Sequence, residues 1–429
     1  MSMSLFRPTL ESSPSAVSAE AVPPVADPAV GGRVQHTSEI LGEAMMDSVS
    51  SVRDSLPEQY RAHFETLRQE IIDFTKAHGI SRESLGKPDL LRKATGKLST
   101  QDLERLALLL ERFEYLLKNG EPKKEDYTEA LEYAEEFYHL EKQYASQVAI
   151  LEQAGILKEG VILGIDGNEY PIPTLEQIAV RLFERCKELE TKHGQGFTKL
   201  LLVPFGMSLD SLQETLKQFL LKYKESHSSF DLETNNPSFF PSELKGSDVG
   251  NFPDLVYYSR FFDRKKFQKQ TKAQIINTYG CWIVHLLQPS DPSNSHSSGF
   301  APIPREGQGT PQGDLVPRPP LEANKTPNEY LSILQKAQED EDSPYHGETG
   351  MTPEDWIIAF MIHLTETGKP LDDWENGGES MSYLTGAYLR MSGTMPYMEW
   401  RREFQQVLFH NCSLMAQSGN DGTRFSIIV

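Results

Sequence analysis

The feature that most constrains this chain is a change of hydrophobic period near Ala154 and Gly155. N-terminal to that point, apolar side chains return at three- and four-residue steps. In SLPEQYRAHFETLRQEIIDFTKAHG, Leu56, Tyr60, Phe64, Leu67, Ile71 and Phe74 fall on one stripe, which is the spacing of an amphipathic helix. Ser55 and Glu58 have the spacing of a capping box, and Gly79 supplies a stop. STQDLERLALLLERFEYLLKNG repeats the pattern with Leu103, Leu106, Leu110, Phe113 and Leu117, and the following segment continues it with Tyr127, Leu131, Ala134 and Tyr138. Such stripes are buried by facing one another, as a bundle or a stalk.

Beyond Gly155 the apolar runs shorten and are punctuated by Gly and Pro. VILGIDGNEYPIPT reads as a hairpin turning at Asp166 and Gly167, with Pro171 and Pro173 confining the return strand to an edge. Thr174 and Gln177 cap a helix expected to run through Lys192. FTKLLLVPFGMSLDSLQETLKQFLLKYK reads as a buried strand, a turn at Pro204 to Gly206, and an amphipathic helix. IINTYGCWIVHLLQPS reads as a further strand, followed by a Pro-, Gly- and Ser-rich stretch from Pro289 to Pro320. Two helices then start alike, Thr326 with Glu329 around Pro327 and Thr352 with Asp355 around Pro353. The expected class is α+β: a disordered tail over 1–35, a helical region over 36–153, a small α/β domain over 154–274, and a C-terminal domain over 275–429 that folds as one unit.

Lys and Arg number 42 against 62 Asp and Glu, a formal charge of -20, which disfavours phosphate backbones and anionic membranes. No nucleic-acid partner and no membrane insertion are expected. Cys186, Cys281 and Cys412 have no close spacing, so neither a disulfide framework nor a cysteine zinc site is supported. The Pro-, Ala- and Ser-rich start has no apolar signal core and no later stretch reaches membrane-spanning length. A soluble, cytoplasmic protein is the expectation, and delivery to a surface by another route is compatible with it.

The motifs that carry chemistry are few. Gly194 and Gly196 precede the strand they would have to follow, and GQGTPQG opens no helix, so no phosphate loop is present. Cys281 and His285 alternate onto one strand face, but no third orienting group has a suitable spacing. His363 stands alone among Trp356, Phe360 and Leu364, as a core or boundary histidine does. RFFDRKKFQKQTK interleaves Phe261, Phe262 and Phe267 with Arg264, Lys265, Lys266, Lys269 and Lys272; in an acidic chain it reads as a solvated amphipathic helix. Asp372, Asp373, Glu375 and Glu379 flank a Gly-rich turn without the ligand alternation of a calcium loop, and read as a solvated turn. No cofactor and no transition metal are expected.

The last thirty residues, WRREFQQVLFHNCSLMAQSGNDGTRFSIIV, place an irregular stretch between a regular segment and a compact terminal strand. This order, helices first and then short strands ending in a Gly-x-Arg strand, resembles the C-type-lectin fold. More narrowly it resembles the formylglycine-generating-enzyme branch, which includes the variable proteins of diversity-generating retroelements in phages and bacteria. The resemblance implies a C-type-lectin-like domain over 275–429. It also implies a stretch diversified at adenines, and LFHNCS consists of residues reachable in that way. The candidate ligand-binding set is Tyr397, Glu399, Arg401, Glu403, Phe409, His410, Asn411, Ser413, Met415, Gln417 and Asn420, an aromatic anchor among adaptable polar groups. Gly422, Phe425, Ile427 and Val429 would form the framework. The function implied is non-enzymatic recognition of a protein or other macromolecular ligand. The alternatives are an enzyme of the formylglycine-generating type and a structural or assembly protein. The enzyme would need a copper-binding cysteine pair, which the widely separated Cys281 and Cys412 do not resemble.

Overall fold

The computed structural model describes residues 53, 56 and 58–429, except 86, 97, 99, 121–124, 259–268, 308–317 and 374–379. The expected tail, the Ser55 cap, the run from Phe261 to Phe267, most of GQGTPQG, and Glu375 and Glu379 lie outside the described residues.

Helices α1 (Glu58–Ala77), α2 (Arg82–Leu85), α3 (Pro88–Thr95) and α4 (Thr100–Asn119) close a small core of their own. Phe64 stacks on Phe113 at 5.2 Å, and Leu67, Ile71 and Phe74 are buried with Leu106, Leu109 and Leu116. The buried stripe of α4 is rotated from the expected one: Leu103 is exposed and Leu110 and Leu117 are only partly covered, because α1 covers the face carrying Leu109 and Leu116. Helices α5 (Glu125–Tyr138) and α6 (Leu140–Ala154), separated by His139 in the left-handed region (φ 49°), belong to a different and larger core. Arg112 to Glu184 (3.5 Å) and Arg181 to Glu70 (3.9 Å) tie the two together.

The hairpin β1 (Val161–Leu163) and β2 (Glu169–Pro171) forms as expected, with Gly167 at φ 80°. The Thr174–Gln177 capping box is present, but Arg185 interrupts the helix, giving α7 (Leu175–Glu184) and α8 (Cys186–Gly194). Then come β3 (Lys199–Val203), α9 (Leu209–Ser226), β4 (Ser238–Phe239), β5 (Leu255–Tyr258), β6 (Lys269–Gln270) and α10 (Lys272–Tyr279). Next are β7 (Ile283–Leu287), α11 (Pro327–Glu339), β8 (Glu348–Gly350) and α12 (Pro353–Thr367). The chain ends with β9 (Met381–Tyr383), β10 (Ala387–Leu389), β11 (Thr394–Arg401), β12 (Gln406–Ser413), β13 (Asp421–Thr423) and β14 (Phe425–Ile428). Both α11 and α12 start with the expected Thr capping boxes and Pro in the first turn. IINTY is helical rather than extended, since Thr271 and Gln274 cap α10, and the strand begins only at Ile283. Cys281 therefore precedes it and packs against Gly206, where an added Cβ would lie 2.5 Å from the Cys281 Cβ. His285 instead faces Ser426 Oγ (3.0 Å) and Asp355 Oδ1 (3.3 Å).

The class is α+β, with one four-stranded sheet in the order β3-β7-β14-β8 and an eight-stranded sheet built around β9, β11, β10 and β5. The strand pairing crosses the boundary expected near residue 275. β3 pairs with β7 along all five of its residues, β5 pairs with β10, and β4 runs parallel to β12. One hydrophobic cluster extends from Tyr127 to Ile428. The segment 154–274 thus supplies strands to both C-terminal sheets rather than standing as a separate domain. The physical reason is edge satisfaction: β7 and β12 each have a ladder that a chain starting at 275 would leave without a partner.

Helix α12 lies at the centre. Every residue from Pro353 to Leu364 is buried, which fits a helix whose body from Trp356 to Ile362 is apolar on all sides. Its His363 is 8 % exposed and accepts at Nδ1 from the Phe300 N–H at 3.0 Å, so that nitrogen carries no proton. Burial, with Arg424 and Lys199 adding repulsion, pushes its pKa down to about 3 from 6.5. The unfolded chain takes up a proton that the folded chain refuses. The His363 contribution is complete above the unfolded pKa and is lost as pH falls from there toward the folded value, at about 1.4 kcal/mol per pH unit. Urea unfolding of the wild type and His363→Gln at pH 7 and pH 5 should show the wild type losing roughly 2 kcal/mol more than the variant. Parallel losses would exclude the linkage.

Candidate functional site

The site is built on the hairpin β11–β12, whose strands pair without interruption from Thr394↔Ser413 to Arg401↔Gln406. Alternation sends successive side chains to opposite faces. Met398, Trp400, Val407 and Phe409 point into the main core and are 0–3 % exposed. Tyr397, Glu399, Arg401 and His410 take the other face. There the Tyr397 and His410 rings, opposite one another in register, stack at 5.4 Å and 24°. His410 also meets Phe239 of β4 at 5.9 Å, and Phe239 is 42 % exposed.

Charge is concentrated beside the rings. Arg401 donates to Glu399 Oε1 from Nε (3.2 Å) and Nη2 (2.6 Å), and the Glu399 carboxylate is fully buried. On the neighbouring strands, Tyr383 OH donates to Asp421 Oδ2 at 2.8 Å. Burial raises the Asp421 pKa, against hydrogen bonds from Tyr383 and Ser418 and the pull of Arg401. Burial, reinforced by Arg401, lowers that of His410. Tyr397 is pushed up to about 12 by burial and by Glu399. The face therefore presents rings with donor and acceptor tips beside one guanidinium, which the buried Glu399 carboxylate holds in place, and the partly exposed Asp421 carboxyl.

The eleven sequence candidates do not form one surface. Tyr397, Glu399, Arg401 and His410 converge. Phe409 is fully buried in the core, so the expected display role is corrected: LFHNCS is strand, not irregular loop, and the register turns Phe409 inward beside Met398. Glu399 is likewise buried at 0 % and serves the face by holding Arg401. Glu403 is exposed in the turn joining the strands, at the end of the hairpin away from Ser413. Asn411 and Ser413 are exposed but alternate to the Phe409 side, where the core ends. Met415, Gln417 and Asn420 follow the hairpin. Asn328 Nδ2 approaches Met415 Sδ at 3.3 Å, and Gln417 Nε2 donates to the Asn324 carbonyl at 2.8 Å. Phe239, Tyr383 and Asp421 were missed. The FF pair between Pro237 and Pro241 was the available signal for Phe239; nothing local marks the other two.

Several charged groups read as solvated are interior. Asp372 is 1 % exposed, bonded to Arg424 Nη2 (2.5 Å) and Trp356 Nε1 (2.7 Å), and Asp373 is paired with Arg402 at 2.5 Å. The expected solvated turn is thus an internal ionic anchor, because the guanidinium of Arg424 inside the fold requires a counter-charge. Lys272 is fully buried against Asp248 and Glu354 instead of lying on a solvated helix face. Lys269 lies over the Tyr388 ring at 3.3 Å. Among the described residues no group of three His, Cys, Asp or Glu side chains could hold a metal ion, and no helix is long and apolar enough to cross a membrane. No family model, curated protein or solved structure matches the chain.

Proposed function

We propose that the chain is a non-enzymatic recognition protein of the C-type-lectin-like type, presenting the β11–β12 face to a protein or other macromolecular ligand. The observation that carries this reading is the convergence of Tyr397, His410 and Phe239 around the Arg401–Glu399 pair on the sheet face opposite the main core, where Tyr397 borders a second apolar cluster of Tyr330, Tyr383 and Met395. Rigid rings with polar tips provide contact area at low entropic cost, and a preorganised guanidinium adds directionality. A rigid strand framework beneath them suits a face whose exposed residues can vary without loss of fold. The lectin-like element of the reading is supported by β14 lying between β7 and β8 and antiparallel to both, with α11 and α12 in the intervening chain. The exposed Gln417 carboxamide and Met415 thioether, which follow the hairpin, would form a rim.

The test combines binding with sequence variation. The full chain is screened against an array of purified proteins and glycans, and binders are re-measured with Tyr397→Ala and His410→Ala. A loss of about 1–2 kcal/mol or more per ring is expected, as for truncated hot-spot aromatics, with unfolding midpoints measured alongside so that the stability lost with the partly buried Tyr397 ring is separated from lost binding. Binders indifferent to both substitutions would remove the face from the site. Independently, a diversified copy of the coding stretch in neighbouring DNA should differ at adenines in the codons for Tyr397, His410, Asn411 and Ser413 and spare those for Met398, Trp400 and Phe409. Substitutions scattered equally over core and face codons would contradict a display surface.

A further inference from the structure

We propose that Lys272 and Asp248 become joined by an intramolecular amide bond that the folded chain makes from its own side chains. The two residues and Glu354 are 0–1 % exposed. Lys272 Nζ lies 2.5 Å from Asp248 Oδ2, 2.8 Å from Glu354 Oε1 and 2.7 Å from the Met207 carbonyl oxygen. The Phe205 and Tyr257 rings flank it at 5.4 and 6.0 Å. Two carboxylates against one ammonium leave an excess negative charge where water does not reach, a state that burial disfavours. Conversion of the ion pair to an amide removes one of those carboxylates together with the ammonium.

Two surrounding groups are placed to assist such a condensation. The N–H of Leu209, the first residue of the 18-residue α9, donates to Asp248 Oδ2 at 2.8 Å, and a helix N-terminus stabilises negative charge developing on that oxygen. Asp248 Oδ1 has no hydrogen-bond partner among the described residues, so no contact holds it back from being the leaving oxygen. Tyr257 OH donates to Glu354 Oε1 at 2.7 Å and fixes the carboxylate that relays protons. Burial lowers the Lys272 pKa, but Glu354 and Asp248 outweigh it and hold the value above the ordinary one. The resting state is therefore ionic, and the reactive amine is its minor form.

The step balances without a co-reactant. Lys272 passes one proton through Glu354 to Asp248 Oδ1, giving amine and carboxylic acid. The Nζ lone pair forms the bond to Cγ while the C=O electron pair moves onto Oδ2. A second Nζ proton goes through Glu354 to Oδ1, the Cγ–Oδ1 bond breaks, and Oδ1 leaves as water as the C=O bond of the amide reforms. The three ammonium hydrogens end as one on the amide nitrogen and two in the water. The other buried lysine pairs among the described residues, those of Lys192 and Lys199, lack this arrangement. The Glu348 carboxylate that faces Lys192 is occupied by both nitrogens of the Arg318 fork, and the Glu366 partner of Lys199 is partly exposed at 16 %.

The bond would close a covalent loop from the segment before β5 to the start of α10, beneath the first turn of α12. Intact-mass measurement of the denatured full chain decides the matter. The wild type should be lighter than its sequence by one water, and digestion should yield a branched peptide joining the Lys272 and Asp248 segments. Asp248→Asn should lose ammonia in place of water, since the amide nitrogen then leaves. Glu354→Gln should keep its full sequence mass. A wild type at full sequence mass overturns the proposal whatever the variants do, as does a water loss that maps to any other pair, and a Glu354→Gln chain that still loses water overturns the relay.

Discussion

Phe409→Ala is expected to destabilise the fold by about 3–5 kcal/mol, the range for truncating a buried aromatic side chain. The ring is 0 % exposed, lies opposite the equally buried Met398, and meets Phe240 edge-on at 5.2 Å and 80°. Truncation removes the aromatic contact and leaves a cavity where β12 packs on the core, and the surrounding strands, hydrogen-bonded on both sides, can collapse into it only in part. Two residues further along the same strand face, Asn411→Ala should change stability by less than about 0.5 kcal/mol, because an exposed side chain loses neither packing nor a buried partner. Denaturant midpoints with unchanged m-values measure both. A small effect at Phe409 would mean that the side chain faces solvent, and the division of the hairpin into core and display sides would fail with it.

That division shows where sequence reasoning reached and where it stopped. Local signals were legible: the Thr–x–x–Glu and Thr–x–x–Asp boxes at Thr326 and Thr352, the Gly167 turn and the unbroken apolar run of β3 each act within a few residues. Non-local ones were not. Whether Phe409 or His410 faces the core depends on register with β11 and on β4, contributed by a segment far earlier in the chain, and a shift of one residue exchanges the two faces. The charged residues failed for a related reason. Lys272, Asp372 and Asp373 read as solvated because their counter-charges at Asp248, Arg424 and Arg402 are distant in sequence, and burial of a charge is signalled only by its partner. The domain boundary was misplaced on the same grounds, since a composition break in a loop carries no information about which strands pair across it.

Removing the carboxylate of Glu348 should have a large effect for an isosteric change. Glu348 opens β8 at 0 % exposure, accepting from Lys192 Nζ (2.8 Å) and Arg318 Nε (2.7 Å) at Oε1 and from Arg318 Nη2 (2.6 Å) at Oε2. Arg318 is further enclosed by the Phe197 and Tyr345 rings at 5.4 and 5.2 Å. Glu348→Gln keeps the volume but leaves two cations inside the fold without their counter-charge, so a loss at or beyond about 3–5 kcal/mol is expected. Lys192→Met should be milder, because the two-pronged Arg318–Glu348 pair survives and the buried charge becomes balanced; replacing all three by apolar residues of similar volume should recover most of the loss. The sign with pH follows from the same contacts. Burial raises the Glu348 pKa, but Arg318 and Lys192 outweigh it and hold it below 4.5. Its contribution is therefore present above the unfolded carboxylate pKa and disappears as pH falls through the folded value. Acid unfolding of the wild type should accordingly be steeper than that of the triple apolar variant, and equal acid profiles, or a Glu348→Gln protein as stable as the wild type at pH 7, would show that this cluster does not hold β8 to the rest of the fold.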